Sequence, residues 1–482
     1  MILTVVTVVV GAALVVVIVG VVAALLTDDR DPSVVLAWLF VILLIPVLGV
    51  VAYFFIGRNH RRESRRHSER RESVEARSER SLDPVLAASQ GFSTAAVATL
   101  SGSPGQRVES AGRREGGTVP LPAEDVRLYF AGADKFRDLF ADLRGAREQI
   151  DLMYLIWEQD ELTAEVTAIL LDRLAAGVRV HIIYDWLSSF PYRKKELERL
   201  ARAGALVVPC YKRARQLNYR NHMKMALIDG AVVYSGGMNM GQEYVDGGPR
   251  FDTWRDTHFR MTGPVVAPYR QLFAATWSMN GRDEDLFAGW AEPVPGTAGE
   301  GIPVQVLHSS VSTPFPTIRD VFVVALATAR ERAWIQSPYF VPDEPLLTAM
   351  CVAASSGVDV RLMMTGLPDK KLPFNAAHAY FPTVLAAGVR VFKYDAGFLH
   401  AKTVTLDAEA AIIGTCNWDI RSLILHDEVV SVFYSEEIAR SCADQYERDL
   451  EHCSEVTRAD LSALSTWERV RNSVCRLFSR LL

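Results

Sequence analysis

The sequence predicts an α/β protein in which two similar domains stand in tandem, each a mixed sheet flanked by helices, after an N-terminal hairpin of two transmembrane helices. Three observations carry this reading. The pattern H-x-K-x-x-x-x-D occurs twice, as His222, Lys224 and Asp229 and again as His400, Lys402 and Asp407. Each copy is followed at matching offsets by a glycine (Gly236, Gly414) and an asparagine (Asn239, Asn417). Hydrophobic residues make up 49% of the 482, and two uncharged runs at the N-terminus hold the excess.

Those runs come first, at 2–26 and 34–56, joined by a short polar turn that carries Asp28, Asp29, Arg30 and Asp31. Each exceeds the roughly 20 residues that cross a ~30 Å hydrocarbon core. The first run has no basic n-region and is longer than a signal-peptide core, which favours a retained span. Arg58, Arg61, Arg62, Arg65, Arg66, Arg70 and Arg71 follow the second run, whereas the turn is acidic. The positive-inside rule then places everything downstream in the cytoplasm. Residues 1–57 are therefore read as a membrane hairpin, with the bacterial inner membrane implied once the resemblance below is added. Residues 58–124 are read as an Arg-rich juxtamembrane segment and a flexible linker, rich in Ala, Ser, Gly and Pro, with order beginning near Val126.

Two α/β domains follow, at 125–295 and 301–460. Apolar strand patterns recur in the same order: 149–158 and 333–341, then 177–185 and 357–365, then 204–211 and 388–394, each pair followed by helix-like sequence or by the H-x-K stretch. A basic insertion at 212–221 lengthens the first copy. The final stretch, 461–482, contains Trp467, Val470, Val474, Leu477, Phe478 and Leu481 at helical spacing, with Arg469, Arg476 and Arg480 off that stripe. A basic amphipathic helix of this kind either lies in a membrane interface or packs on the catalytic body.

Charge narrows the partners. The segment 58–80 holds nine Arg and five Glu, so the rest of a chain of net charge −5 carries −9. Nucleic acid favours basic faces, so no nucleic-acid partner is expected. The six cysteines are scattered without a C-x-x-C, which gives no support for a metal site and fits reduced thiols.

The repeated kit points to transfer of a phosphoryl-type group through a covalent histidine intermediate. Residues i and i+2 of a strand share a face, so His222 pairs with Lys224 and His400 with Lys402. Two such strand ends brought together oppose two imidazoles across a pocket with two ammoniums. Lys224, Lys402 and the amides of Asn239 and Asn417 can then stabilise the phosphate oxygens without metal or cofactor. One histidine attacks phosphorus while the other acts as acid and then base. Each imidazole needs a carboxylate to fix its tautomer, and Asp256 and Glu428, which fall on each other when the two halves are overlaid, are the candidates. Asp229 and Asp407 belong to the catalytic motif but are expected to hold the strand-to-loop junction. His258 and His426 are expected to be ordinary satisfied polar residues.

With these residues the chain resembles the phospholipase D superfamily, and within it the bacterial cardiolipin synthases. The closer likeness is carried by 37–58, Gly236-GMNMGQEY-Val245, Trp254-RDTH-His258, Ser337-PYFVPDE-Glu344 and Asn417-WDIRS-Ser422. The resemblance implies two tandem phospholipase D-like domains. It implies a cardiolipin synthase that joins two phosphatidylglycerol molecules with release of glycerol, His222 as nucleophile and His400 as acid/base. The partners expected are phosphatidylglycerol and the bilayer. Two departures from the superfamily pattern are Gly237 and Thr415 in place of the usual Ser, and His426-Asp427 in place of Asn-Phe. A phospholipase or phosphatidyltransferase with another acceptor, a nuclease and a non-catalytic scaffold are the rival readings.

Overall fold

The computed structural model describes the backbone of residues 2–27, 32–53, 68–189, 195–212, 218–280, 286 and 300–479. The turn at 28–31, the residues 54–67 with most of the Arg-rich stretch, and 213–217 of the basic insertion lie outside the described residues. The chain divides into two units, one of Met1–Ser68 with Lys212–Asn218 and one of Glu69–Tyr211 with Tyr219–Leu482.

The first unit contains helices α1 (Ile2–Leu26), α2 (Pro32–Leu44) and α3 (Pro46–Ala52). The run expected to be one second span is broken at Ile45, because Pro46 has no N–H to continue the helix and opens a new one at its first turn. Val21, Leu25, Ile42, Val50 and Tyr53 pack together, while Val15, Val16, Val19, Leu43, Leu44 and Leu48 stand exposed. Side chains of α1 are described continuously only from Gly11, and among the described residues no helix is long and apolar enough to cross a membrane.

The stretch expected to be a flexible linker is helical instead: α4 (Ser68–Thr99) and α5 (Pro104–Gly116). The buried face of α4 is Val74, Ser78, Val85, Ser89, Ser93 and Ala96, a helical stripe built mostly of small residues that composition mistakes for linker. In α5, Gly112 is required by close packing, since a Cβ there would press on the Gln305 side chain at 2.8 Å. Gly117 ends the helix at φ 66°.

The rest of the second unit is organised on one 15-stranded sheet. The first half supplies β1 (Leu121–Tyr129), β2 (Gln149–Tyr154), β3 (Arg179–Asp185), β4 (Leu206–Cys210), β5 (Met225–Ile228), β6 (Val232–Gly236) and β8 (His258–Thr262), with a short β7 (Trp254–Arg255) outside the sheet. The second half supplies β9 (Ile302–Ser309), β10 (Arg332–Gln336), β12 (Asp359–Thr365), β13 (Arg390–Tyr394), β15 (Thr403–Leu406), β16 (Ala410–Gly414), β18 (Glu428–Phe433) and β19 (Cys453–Val456). Short strands β11 (Phe340–Val341), β14 (Phe398–Leu399) and β17 (Trp418–Asp419) lie outside it.

Read outward from the middle, the first half runs β1-β8-β6-β5-β2-β3-β4 and the second β9-β18-β16-β15-β10-β12-β13, with β19 added at the edge. The two orders correspond strand for strand, which is the duplication seen in the motifs. β1 and β9 pair antiparallel at Leu121–Val304, Pro122–Pro303 and Ala123–Ile302, so the halves share a continuous hydrogen-bonded seam. A second link is made by β7 and β14, which pair parallel, and a third by the bridge between Asn221 and Asp427.

Candidate functional site

The two H-x-K stretches meet along those cross-half links. The ladder strands begin only at Met225 and Thr403, so the His and Lys of each copy precede the strands on which they were expected. Their backbones pair with the opposite half instead. His222 N–H donates to the Asp427 carbonyl (2.9 Å) and His400 N–H to the Arg255 carbonyl (2.7 Å). Those carbonyls belong to the residues just before Glu428 and Asp256, and the same crossing brings the side chains together. His222 Nδ1 lies 2.8 Å from Glu428 Oε1, and His400 Nδ1 lies 2.6 Å from Asp256 Oδ2. Each half thus supplies the carboxylate for the other half's imidazole, and both carboxylates are fully buried. With Nδ1 so engaged, Nε2 is the nitrogen of each ring left for chemistry.

Each lysine is also buried. Lys224 Nζ donates to the His222 carbonyl at 2.7 Å, and Lys402 Nζ donates likewise to the His400 carbonyl. Burial, only partly offset by Glu428, lowers Lys224 to about 7. Burial, offset by Asp256 and Glu428, lowers Lys402 to about 8. Burial and then the Lys402 charge bring His400 down to about 4. Burial, Lys224 and Lys402 hold His222 well below the usual imidazole range, with smaller contributions from His400 and Lys370. Burial alone would raise Asp256, but Lys402 and His400 outweigh it and hold the carboxyl low. The site is desolvated, with two lysines beside two buried carboxyl groups, and burial favours the neutral form of both imidazoles.

The motif aspartates lie elsewhere. Asp229 accepts from the backbone N–H groups of Arg147, Glu148 and Gln149, and Asp407 from those of Arg330, Glu331 and Arg332, all between 2.8 and 3.2 Å. They pin the starts of β2 and β10 from turns at φ 50° and 52°. The glycines act by proximity: a Cβ on Gly236 would come within 2.6 Å of His258 Cα, and one on Gly414 would collide with the Val429 carbonyl.

The asparagines depart from expectation. Asn239 Nδ2 donates to Tyr244 Oη (2.7 Å), and the Asn417 side chain hydrogen-bonds Asp419. Each amide nitrogen thus spends one of its two hydrogens within the protein, while Asn239 Oδ1 and Asn417 Oδ1 are buried with no partner among the described residues. As oriented, they offer acceptors suited to a hydroxyl. The second N–H of each amide is the donor left for a phosphate oxygen.

Several neighbours have contacts that sequence reasoning did not assign. Thr415 Oγ1 donates to Glu428 Oε2 (2.5 Å) and accepts from Val429 N–H (3.0 Å), so the second motif's Thr buttresses a carboxylate. At the matching Gly237 a Cβ would collide with the Asp256 carboxylate, which fills that space itself. Its position beside the motif glycine was the available signal. His426 and His258 are not satisfied residues. Among the described residues neither ring nitrogen of His426 has a hydrogen-bond partner; its Nδ1 lies 3.8 Å from Glu428 Oε1, and its ring centroid is 5.7 Å from that of His222. His258 Nδ1 accepts from Met238 N–H at 3.4 Å, and Nε2 has no partner among the described residues. Lys135 is wholly buried, its Nζ 3.6 Å from the Phe136 ring centroid. Among the described residues one group, His222, His426 and Glu428, brings three potential metal-ligating atoms within 4.8 Å of one another.

Comparison with known proteins agrees with this layout. Residues 139–277 and 322–450 match the family model described as "Cardiolipin synthase, PLD-like domain", and 12–58 match "Phospholipase_D-nuclease N-terminal". The chain is 34% identical to a cardiolipin synthase of Geobacillus thermodenitrificans, covering 94% of this chain and 90% of that one. It is 32% identical to the major cardiolipin synthase of Bacillus subtilis, covering 94% of each. Among solved structures, phosphatidylserine synthase of Haemophilus influenzae shares the fold, with a TM-score of 0.60 at 13% identity over 78% of this chain and all of that one.

Proposed function

The chain belongs to the cardiolipin synthase family of phospholipase D-like enzymes, and from that premise we propose how its residues carry out phosphatidyl transfer. The enzyme moves a phosphatidyl group from one phosphatidylglycerol to another and releases glycerol. His222 Nε2 attacks phosphorus, and the bond from phosphorus to the headgroup glycerol oxygen breaks. Protonated His400 gives its Nε2 proton to that oxygen, and glycerol leaves. His400, now neutral, takes the proton from a headgroup hydroxyl of the second phosphatidylglycerol. That oxygen attacks phosphorus, the phosphorus–nitrogen bond breaks, and His222 is restored. Lys224 and Lys402 stabilise the non-bridging oxygens as charge builds on them. Glu428 and Asp256 hold the tautomers and stabilise the imidazolium forms.

The observation that carries this reading is the crossed pairing of His222 with Glu428 and His400 with Asp256, one imidazole from each half with Nδ1 occupied and Nε2 spare. Asn239 and Asn417 Oδ1 are placed in the same proposal as acceptors for glycerol hydroxyls. The 2–56 region forms a membrane-inserted hairpin with the catalytic unit on the cytoplasmic side. The exposed valines and leucines of α1 to α3 and the Arg-rich sequence after them support that topology.

Purified protein given headgroup-labelled phosphatidylglycerol in vesicles should yield cardiolipin and one equivalent of free glycerol. An acid-labile phosphatidyl-histidine adduct should be recoverable on quenching. Phosphatidic acid as sole product would assign water as acceptor and remove the synthase reading.

A further inference from the structure

The C-terminal helix, Thr466–Leu477, carries an apolar face that the catalytic unit does not cover. Trp467 is 72% exposed and Leu477 82%, and Val470, Val474 and Phe478 between and beside them are 44–48% exposed. The opposite face is anchored, with Asn472 and Cys475 buried. The helix is well formed at its start, where Ser465 and Glu468 make a reciprocal capping box. Arg469, Arg471 and Arg476 lie off the stripe on the same helix, against the single Glu468; Arg469 donates to the Leu461, Ser462 and Leu464 carbonyls, Arg471 donates to Asn472, and Arg476 lies over the Tyr380 ring. Leaving such side chains in water is costly, and five in one short helix form a patch rather than scattered exposure.

Its neighbour links it to the site. The helix packs against Lys371–His378, which also presents exposed Leu372 at its first turn. Just ahead of that helix, Leu367 and Lys370 are exposed, and the Lys370 charge is close enough to disfavour protonation of His222. The loop at 367–370 is fastened by Tyr339, which donates to Asp369 (2.6 Å), and by Arg250, which donates to the Pro368 and Asp369 carbonyls. Apolar and cationic groups therefore continue from the C-terminal helix toward the catalytic pocket.

We propose that this face is an interfacial foot that seats the active-site entrance on an anionic bilayer, with Trp467, Val470, Val474, Leu477 and Phe478 entering the headgroup–acyl boundary and the arginines and Lys370 meeting lipid phosphates. The occupant is set by charge and by substrate: the face is cationic around an apolar stripe, and the substrate phosphate must reach His222 while its acyl chains stay in lipid. The inference rests on the lipid-substrate reading above, and its first test needs no turnover.

The test is hydrogen exchange on the full chain in nanodiscs of phosphatidylglycerol, in nanodiscs of phosphatidylcholine and in detergent. Slower exchange over 464–479 in phosphatidylglycerol than in phosphatidylcholine is expected. Equal exchange in the two lipids overturns the proposal, whatever the exchange in detergent, whose micelles themselves cover an apolar face. A Trp467→Glu, Leu477→Glu double variant should raise the apparent KM for vesicular phosphatidylglycerol by at least ~5-fold, as loss of two interfacial anchors implies. Its turnover of a short-chain, monomeric phosphatidylglycerol should be unchanged. Loss of short-chain turnover as well would assign the helix a structural role and overturn the proposal.

Discussion

His222 and His400 are chemically alike but are held by different carboxylates, and that difference can be used to separate their roles. Replacing either histidine with Ala should lower turnover by at least ~10³-fold, as when one member of a cooperating catalytic unit is lost. Glu428→Gln should slow formation of the phosphatidyl-histidine adduct, because it leaves His222 without its tautomer-fixing partner. Asp256→Asn weakens His400, so the adduct should form slowly and then persist; rapid-quench measurement of adduct and product distinguishes the two. The pH dependence has a definite sign. With Lys224 near 7 and Lys402 near 8, kcat/KM should fall as pH rises above about 8 and the ammoniums are lost. The folded pKa of Lys402 lies below its ordinary 10.5, so the unfolded chain binds more protons between about 8 and 10.5 and this group's contribution to stability rises with pH across that window. Lys402→Met should flatten that rise in a series of thermal midpoints. Both carboxylates were legible in the sequence because the halves can be overlaid. Which carboxylate serves which histidine was not, because pairing across the duplication leaves no spacing signature. The same holds for the amide donors of Asn239 and Asn417, whose protein partners Tyr244 and Asp419 are near in sequence but carry no motif of their own.

At the scale of elements, the motif residues divide between chemistry and scaffold. Asp229 and Asp407 each gather three backbone N–H groups at the start of a strand, and the more buried Asp407 leaves more to lose. Asp407→Ala should destabilise the fold by about 3 kcal/mol, the scale of stranding buried donors, readable in denaturant midpoints. Gly237→Ala should act on catalysis more than on stability, since the added methyl strikes the Asp256 carboxylate; a lower kcat with little change in KM is the expected split. Strand order was legible because the apolar runs recur in both halves in the same sequence. The helices α4 and α5 were not, because Ser, Ala and Gly make up much of their buried faces and leave too few large apolar residues to set a helical period, until Gln305 and the sheet supply the surface they fit. The second apolar run read as one helix because hydropathy ignores what Pro46 does to the backbone.

At the scale of the molecule, neither half is a complete catalyst. Residues 69–295 expressed alone keep His222 and Lys224 but lack Glu428, and 300–482 keep His400 and Lys402 but lack Asp256. Each half by itself should be inactive in the vesicle assay, and a partial return of activity is expected only when both are present together. The seam between β1 and β9 has a further consequence. Jaws paired strand to strand into one sheet do not swing like pliers; they behave as a fixed-gauge spanner whose gap is set when the chain folds. Turnover then needs no opening stroke. Selection then falls on what fits the gap rather than on what makes it shut.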